Sequence, residues 1–231
     1  MNLSHNRLDT LPSNEFWFRA DKLQILTLDY NSFSSLPSGI SDCRDLLSFT
    51  CSQNVLSGIT ILGKETPFNA LINLIHLDLS GNQIEEWPCK KMAGGKIEKS
   101  FYGLNNLEIL NLANNKLTVI PGPERLSSFV GLKNLDLSNN HIHALGSDHG
   151  IGALTNLQVL NLSSNVLESL PEGKVTLVLQ NVVVIIVLII FIGIFFFYCL
   201  LCNLSFQTNP NKEYILTAVN LFFLVLQTLK K

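Results

Sequence analysis

The stretch LKNLDLSNNHI, residues 132–142, decides the fold. Within it, Leu135-Asp136-Leu137 alternates at the period of a β-strand, which sends both leucines to one face and Asp136 to the other. Three residues make a very short strand, and its two leucines need partners to be buried. The chain supplies them by repetition. The same pattern returns as LQILTLDYNSF (23–33), LLSFTCSQNVL (46–56), LIHLDLSGNQI (74–84), LEILNLANNKL (107–117) and LQVLNLSSNVL (157–167), and the opening MNLSHNRL is the same unit without its first positions.

Seven asparagines set the register: Asn6, Asn31, Asn54, Asn82, Asn115, Asn140 and Asn165, spaced 25, 23, 28, 33, 25 and 25 residues apart. One repeat cannot bury its own leucines, so neighbours stack into a continuous core. An Asn amide placed where the chain leaves the strand can bond backbone groups that would otherwise be buried unpaired. Leu-Pro pairs at 11–12, 36–37 and 170–171, with Trp87-Pro88 and Ile120-Pro121, turn the chain into a variable outer segment. Six full units and one partial unit over residues 1–171 resemble the leucine-rich repeat family, in its typical class of roughly 23–25 residues per repeat with insertions. The resemblance implies an α/β repeat solenoid, a curved horseshoe with a parallel β-sheet on its concave face. It also implies that the seven asparagines form a structural ladder along the array.

In this family the residues between the strand leucines face solvent on the concave side. Here the central column is Asn2, Thr27, Thr50, Asp78, Asn111, Asp136 and Asn161. The next is Ser4, Asp29, Ser52, Ser80, Ala113, Ser138 and Ser163, and the preceding one is Ile25, Ser48, His76, Ile109, Asn134 and Val159. The resulting surface is small, polar and slightly acidic, suited to a protein partner with basic or hydrogen-bonding groups. Thr27, Asp29, Thr50, His76, Asp78, Asn111, Asn134, Asp136 and Asn161 are the candidate contact residues. The columns lack the Trp, Tyr and Arg anchors that usually dominate interface energies. Phe16, Trp17 and Phe18 fall in the outer part of a repeat and belong to the core.

Nothing in the chain points to catalysis. His5, His76, His141, His143 and His149 are scattered, and His141-x-His143 lacks the third ligand a metal site needs. No cofactor or small-molecule substrate is expected. Residues 175–231 carry only Lys212, Lys230, Lys231 and Glu213 as charges, which leaves 13 basic and 17 acidic side chains in residues 1–174. That balance argues against a nucleic-acid partner. Five cysteines at irregular spacing (Cys43, Cys51, Cys89, Cys199 and Cys202) form no disulfide framework and fit a reducing compartment. The insertion CKKMAGGKIEKS (89–100) reads as a solvated outer loop, with docking as the alternative.

The last quarter of the chain changes character. Val182–Cys202 holds 21 uncharged residues, about 31 Å as a helix, which matches a bilayer core. A transmembrane helix is expected there, joined by a linker at 172–181. Residues 203–231 form a short tail whose second apolar run, 214–229, suits an interfacial helix or the return limb of a hairpin. The N-terminus has no basic n-region or apolar h-region of a secretory signal. The expected product is therefore a membrane-anchored scaffold or signalling adaptor with its repeats in the cytosol, single-pass or hairpin-anchored. Two alternatives fit the same residues. One is a truncated cell-surface receptor ectodomain. The other is a fragment of a larger signalling protein, cytoplasmic, whose residues 175–231 are translated intron.

Overall fold

Six three-residue strands carry the architecture: β1 (Ile25–Thr27), β2 (Ser48–Thr50), β3 (His76–Asp78), β6 (Ile109–Asn111), β7 (Asn134–Asp136) and β8 (Val159–Asn161). They pair in parallel in the order β1-β2-β3-β6-β7-β8, and Asn2 adds a single parallel bridge to Thr27. In the computed structural model the described residues are 1–12, 17, 20–37, 39–58, 67–87, 89–91, 97–99, 104–126, 128–143 and 150–168. Of these, 67, 69, 89–91, 97–99 and 124–125 are described by backbone alone. All belong to one compact unit, Met1–Leu188; the second unit, Ile189–Lys231, lies wholly outside the described residues, as do Phe16, Phe18, Pro171 and the segments at 172–181, 182–202 and 203–231. Among the described residues no helix is long and apolar enough to cross a membrane.

Register explains the core. Leu26, Phe49, Leu77, Leu110, Leu135 and Leu160 stand opposite one another on successive strands, and all six are buried. The next inward position is filled by Leu28, Cys51, Leu79, Leu112, Leu137 and Leu162, also buried. A second apolar set enters from the outer segments at intervals of three: Trp17-Ala20-Leu23, Ile40-Cys43-Leu46, Phe68-Leu71-Leu74, Leu126-Phe129-Leu132 and Ile151-Leu154-Leu157. Each triplet is held by successive N–H to i−3 carbonyl bonds, such as Cys43 to Ile40 and Leu46 to Cys43. This is a 3₁₀ pattern, whose three-residue turn keeps i, i+3 and i+6 on one side. Such burial stabilises by about 1.5–3 kcal/mol per large side chain before entropy is counted.

Glycine is essential at Gly39, where a Cβ would stand 2.0 Å from Cδ1 of the buried Trp17 ring. The Trp17 indole N–H donates to the Pro12 carbonyl at 2.8 Å. Trp17 is thus a core residue, as its place in the repeat requires.

The long spacing between Asn82 and Asn115 is absorbed without loss of register, since β3 and β6 pair directly (His76 with Ile109, Leu77 with Leu110). Part of the extra length forms an antiparallel hairpin, β4 (Cys89–Lys91) and β5 (Ile97–Lys99), in which Lys90 stands opposite Glu98 and Cys89 opposite Lys99. A hairpin was not foreseen for this insertion. Its four-lysine, glycine-paired sequence lacks the alternation of a half-buried strand pair.

Candidate functional site

The exposed face of the six-stranded sheet begins at the corners that end each strand. Three residues after the end of each strand the backbone turns through positive φ, at Tyr30, Gln53, Gly81, Asn114, Asn139 and Ser164, and His5 does the same three residues after the Asn2 bridge. Each of these immediately precedes a ladder asparagine. The ladder then closes the corner. The Asn115 amide donates to Leu79, Leu112 and Ala113 carbonyls at 3.1, 3.1 and 3.2 Å, and its oxygen accepts the Ile84 N–H at 3.0 Å. Asn31, Asn54, Asn82, Asn140 and Asn165 do the same, each reaching back to a carbonyl of the preceding repeat and accepting one of its N–H groups. Asn6 bonds the Leu3 and Ser4 carbonyls.

All nine candidate contact residues lie half-buried on the strand face, and hydrogen bonds link most of them across strands. Asp29 accepts the Thr50 hydroxyl at 2.9 Å and the Ser52 N–H at 2.7 Å. Asp78 accepts the Asn111 amide at 3.0 Å and the Ser80 N–H at 2.8 Å. Asp136 accepts the Asn161 amide at 3.0 Å, the Ser138 N–H at 2.8 Å and the Ser138 hydroxyl at 2.6 Å. A ring nitrogen of His76 lies 3.1 Å from the Ser48 hydroxyl. Every partner of the three carboxylates is neutral, so each is oriented while its charge stays uncompensated. A shallow depression of about 290 Å³ opens over β3, β6, β7 and β8, lined by His76, Ile109, Leu110, Asn111, Asn134, Leu135, Asp136, Val159 and Asn161.

Two residues expected on this surface are not there. Ala113 and Ser138 are buried, and Ser138 folds its hydroxyl back onto Asp136. Two further features escaped the sequence analysis. Tyr30 is 51% exposed and stacks on His5, with ring centroids 4.3 Å apart and planes 10° from parallel. Both occupy the corner column, which elsewhere holds small or amide residues, so an exposed aromatic ring stands at the end of a face whose columns contain no Tyr or Trp. The signal was its place directly before Asn31. The second feature is another set of asparagines at the opposite ends of the strands. Asn73, Asn106 and Asn156 donate to the Arg44, Ile72 and Val130 carbonyls at 3.0, 2.9 and 2.6 Å. Each sits just before the first leucine of its repeat. In the first repeat the same position is Lys22, which pairs with Asp45 at 3.3 Å.

Cys43 and Cys51 are free and buried, and burial pushes their thiols up to about 11 and about 12. Asp42 and Asp21 add to the effect at Cys43, and Asp29 at Cys51. Neither thiol is a nucleophile at neutral pH. Among the described residues no three His, Cys, Asp or Glu side chains gather as a metal site would need.

Models of the leucine-rich repeat match the chain at residues 22–43, 73–94 and 130–176, and a two-copy model matches 105–148. Among known proteins, vasorin from Mus musculus is 33% identical over 128 residues, which cover 55% of this chain and 17% of vasorin. Vasorin from Homo sapiens is 32% identical over 130 residues, 56% of this chain and 17% of that protein. The probable serine/threonine-protein kinase pats1 of Dictyostelium discoideum is 32% identical over 152 residues, 66% of this chain but 4% of the kinase. The chain therefore spans about a sixth of the vasorins' length and far less of the kinase. With the repeat register, the ladder and the family models in agreement, the chain belongs to the leucine-rich repeat family.

Proposed function

We propose that this chain is a membrane-anchored scaffold or signalling adaptor whose strand face binds a protein partner. Leucine-rich repeats serve as protein-interaction modules because a stacked array presents an extended surface too large for a small molecule. One observation carries the proposal for this chain: nine polar and charged residues, from Thr27 to Asn161, occupy one continuous face of six paired strands. In this proposal residues 1–171 are the binding domain, 172–181 a linker, 182–202 the membrane helix and 203–231 a short tail. The anchor rests on the 21 uncharged residues of Val182–Cys202. The repeats face the cytosol.

Proximity labelling with the full chain tests the binding role. Arg placed at Thr27, Thr50 and Asn161 together should abolish labelling of a partner that the unaltered chain marks reproducibly. An unchanged set of labelled proteins would sink the strand face as the binding surface. Protease treatment of intact microsomes tests the anchor and its orientation: the repeats should be digested while the chain stays with the membrane through alkaline carbonate. Release by carbonate would remove the anchor, and protection would place the repeats in the lumen.

A further inference from the structure

The depression over β6–β8 has one feature that a finished scaffold surface does not need. Asn134 lies on the strand face and its side-chain amide has no partner among the described residues. Its neighbours at the same register are Ile109 on β6 and Val159 on β8. An amide between two aliphatic side chains is a donor and an acceptor on an apolar floor, the combination that a peptide backbone satisfies in full. On the same strand and face, about 7 Å further on, Asp136 is held by Asn161 and Ser138. Those donors are neutral, and the three columns of the face contain Asp29, Asp78 and Asp136 but no Lys or Arg. Lys133, next to Asn134 in the chain, is paired with Glu108 at 2.7 Å.

From this juxtaposition we propose that the depression binds an extended, basic segment of a protein partner. Its backbone amide pairs with Asn134, an aliphatic side chain lies against Ile109 or Val159, and a Lys or Arg reaches Asp136. Charge complementarity selects the occupant, since an acidic segment would meet uncompensated carboxylates. The distance from Asn134 to Asp136 equals about two residues of extended chain, so the cationic and aliphatic residues stand within about two positions of each other. This inference rests on the strand face being the binding surface and assigns the chemistry of one part of it.

The test uses the full chain and a phage-displayed library of random dodecapeptides, followed by fluorescence polarisation with the enriched peptide. Enriched sequences should carry Lys or Arg within two residues of Val, Ile or Leu. Asn134→Ala, which removes no side-chain hydrogen bond among the described residues, should weaken binding at least tenfold with an unchanged unfolding midpoint. Asp136→Asn should weaken it similarly and flatten its salt dependence. Val130→Arg, exposed in an outer segment away from the strand face, should change it less than twofold. Enrichment of acidic or uncharged peptides overturns the proposal, as does indifference to Asn134→Ala. If Thr27→Arg and Thr50→Arg abolish binding while Asn134→Ala does not, the strand face survives as the binding surface and this assignment falls. If no peptide is enriched, or no substitution matters, both fall.

Discussion

Asn115 and Asn134 carry the same amide on adjacent repeats and do opposite work. Asn115 is buried and makes four hydrogen bonds at the corner of its repeat, two of them to groups of the preceding one. The Asn134 side chain lies half-buried on the strand face and makes none among the described residues. The Asn115 amide is buried at its corner, so its backbone partners depend on it. The Asn134 amide is open to solvent on the strand face. Register, not residue type, separates the two.

The sharpest way to break that contrast is to remove the amide at a corner. Asn115→Ala strands the Ile84 N–H and leaves the Leu79, Leu112 and Ala113 carbonyls with one donor each, from Asn82, Asn140 and Gly81. A loss of about 2–3 kcal/mol is expected, read as a drop in the urea midpoint; a loss below about 1 would mean the ladder is ornamental. Next in size is Gly39→Ala, whose methyl meets the Trp17 ring. Overpacking of this kind costs about 1–3 kcal/mol and should disturb Trp17 fluorescence.

The third test is pH. Cys43 and Cys51 have thiols raised from 9.0 to about 11 and about 12, so the folded state keeps protons that the unfolded state gives up. Their stabilisation is complete below pH 9 and is lost as pH rises from there through about 11 to 12. At pH 10 the loss should be about 1 kcal/mol per thiol, and a Cys43→Ala, Cys51→Ala chain should show a flatter decline between pH 8 and 10. The same burial predicts that neither thiol reacts with a disulfide reagent at pH 8 until the chain is unfolded. Smallest of all is Asn134→Ala, which should move the unfolding midpoint by less than about 0.5 kcal/mol equivalent. A large destabilisation there would show that Asn134 has a structural partner and would erase the contrast with Asn115.

Most of the array was legible in the sequence because leucine spacing and asparagine register report the same geometry twice. Leu77 and Leu79 point inward and Asp78 outward for a local reason, the two-residue period of a strand. Ladder bonds follow from the same count. The rest needed three dimensions. Ala113 and Ser138 sit at positions that alternate correctly yet are buried, while Ser52, Ser80 and Ser163 in the same column are half-buried. The exposed Tyr30 ring is held in place by its stacking on His5, 25 residues away in the chain. Asn134 could be placed on the face from its column, but that its amide lacks a partner depends on neighbours from two other repeats. The pairs Asn73 to Arg44 and Asn106 to Ile72 were different, since their spacing was readable. Serine, asparagine and aspartate are so common beside repeat strands that this second regularity did not stand out.

One consequence follows from the direct pairing of β3 with β6 across 33 residues. The bonds that join these two repeats, from Glu108 and Ile109 N–H to the Ile75 carbonyl and from Asn115 to Leu79, are made as though the intervening hairpin were absent. The closure cost of a longer loop grows only as the logarithm of its length, so doubling this insertion adds about 0.6 kcal/mol. The segment between Lys91 and Ile97 is therefore a natural splice point. A fluorescent protein, an affinity tag or a second binding domain could be spliced in there and would leave the array on either side in step.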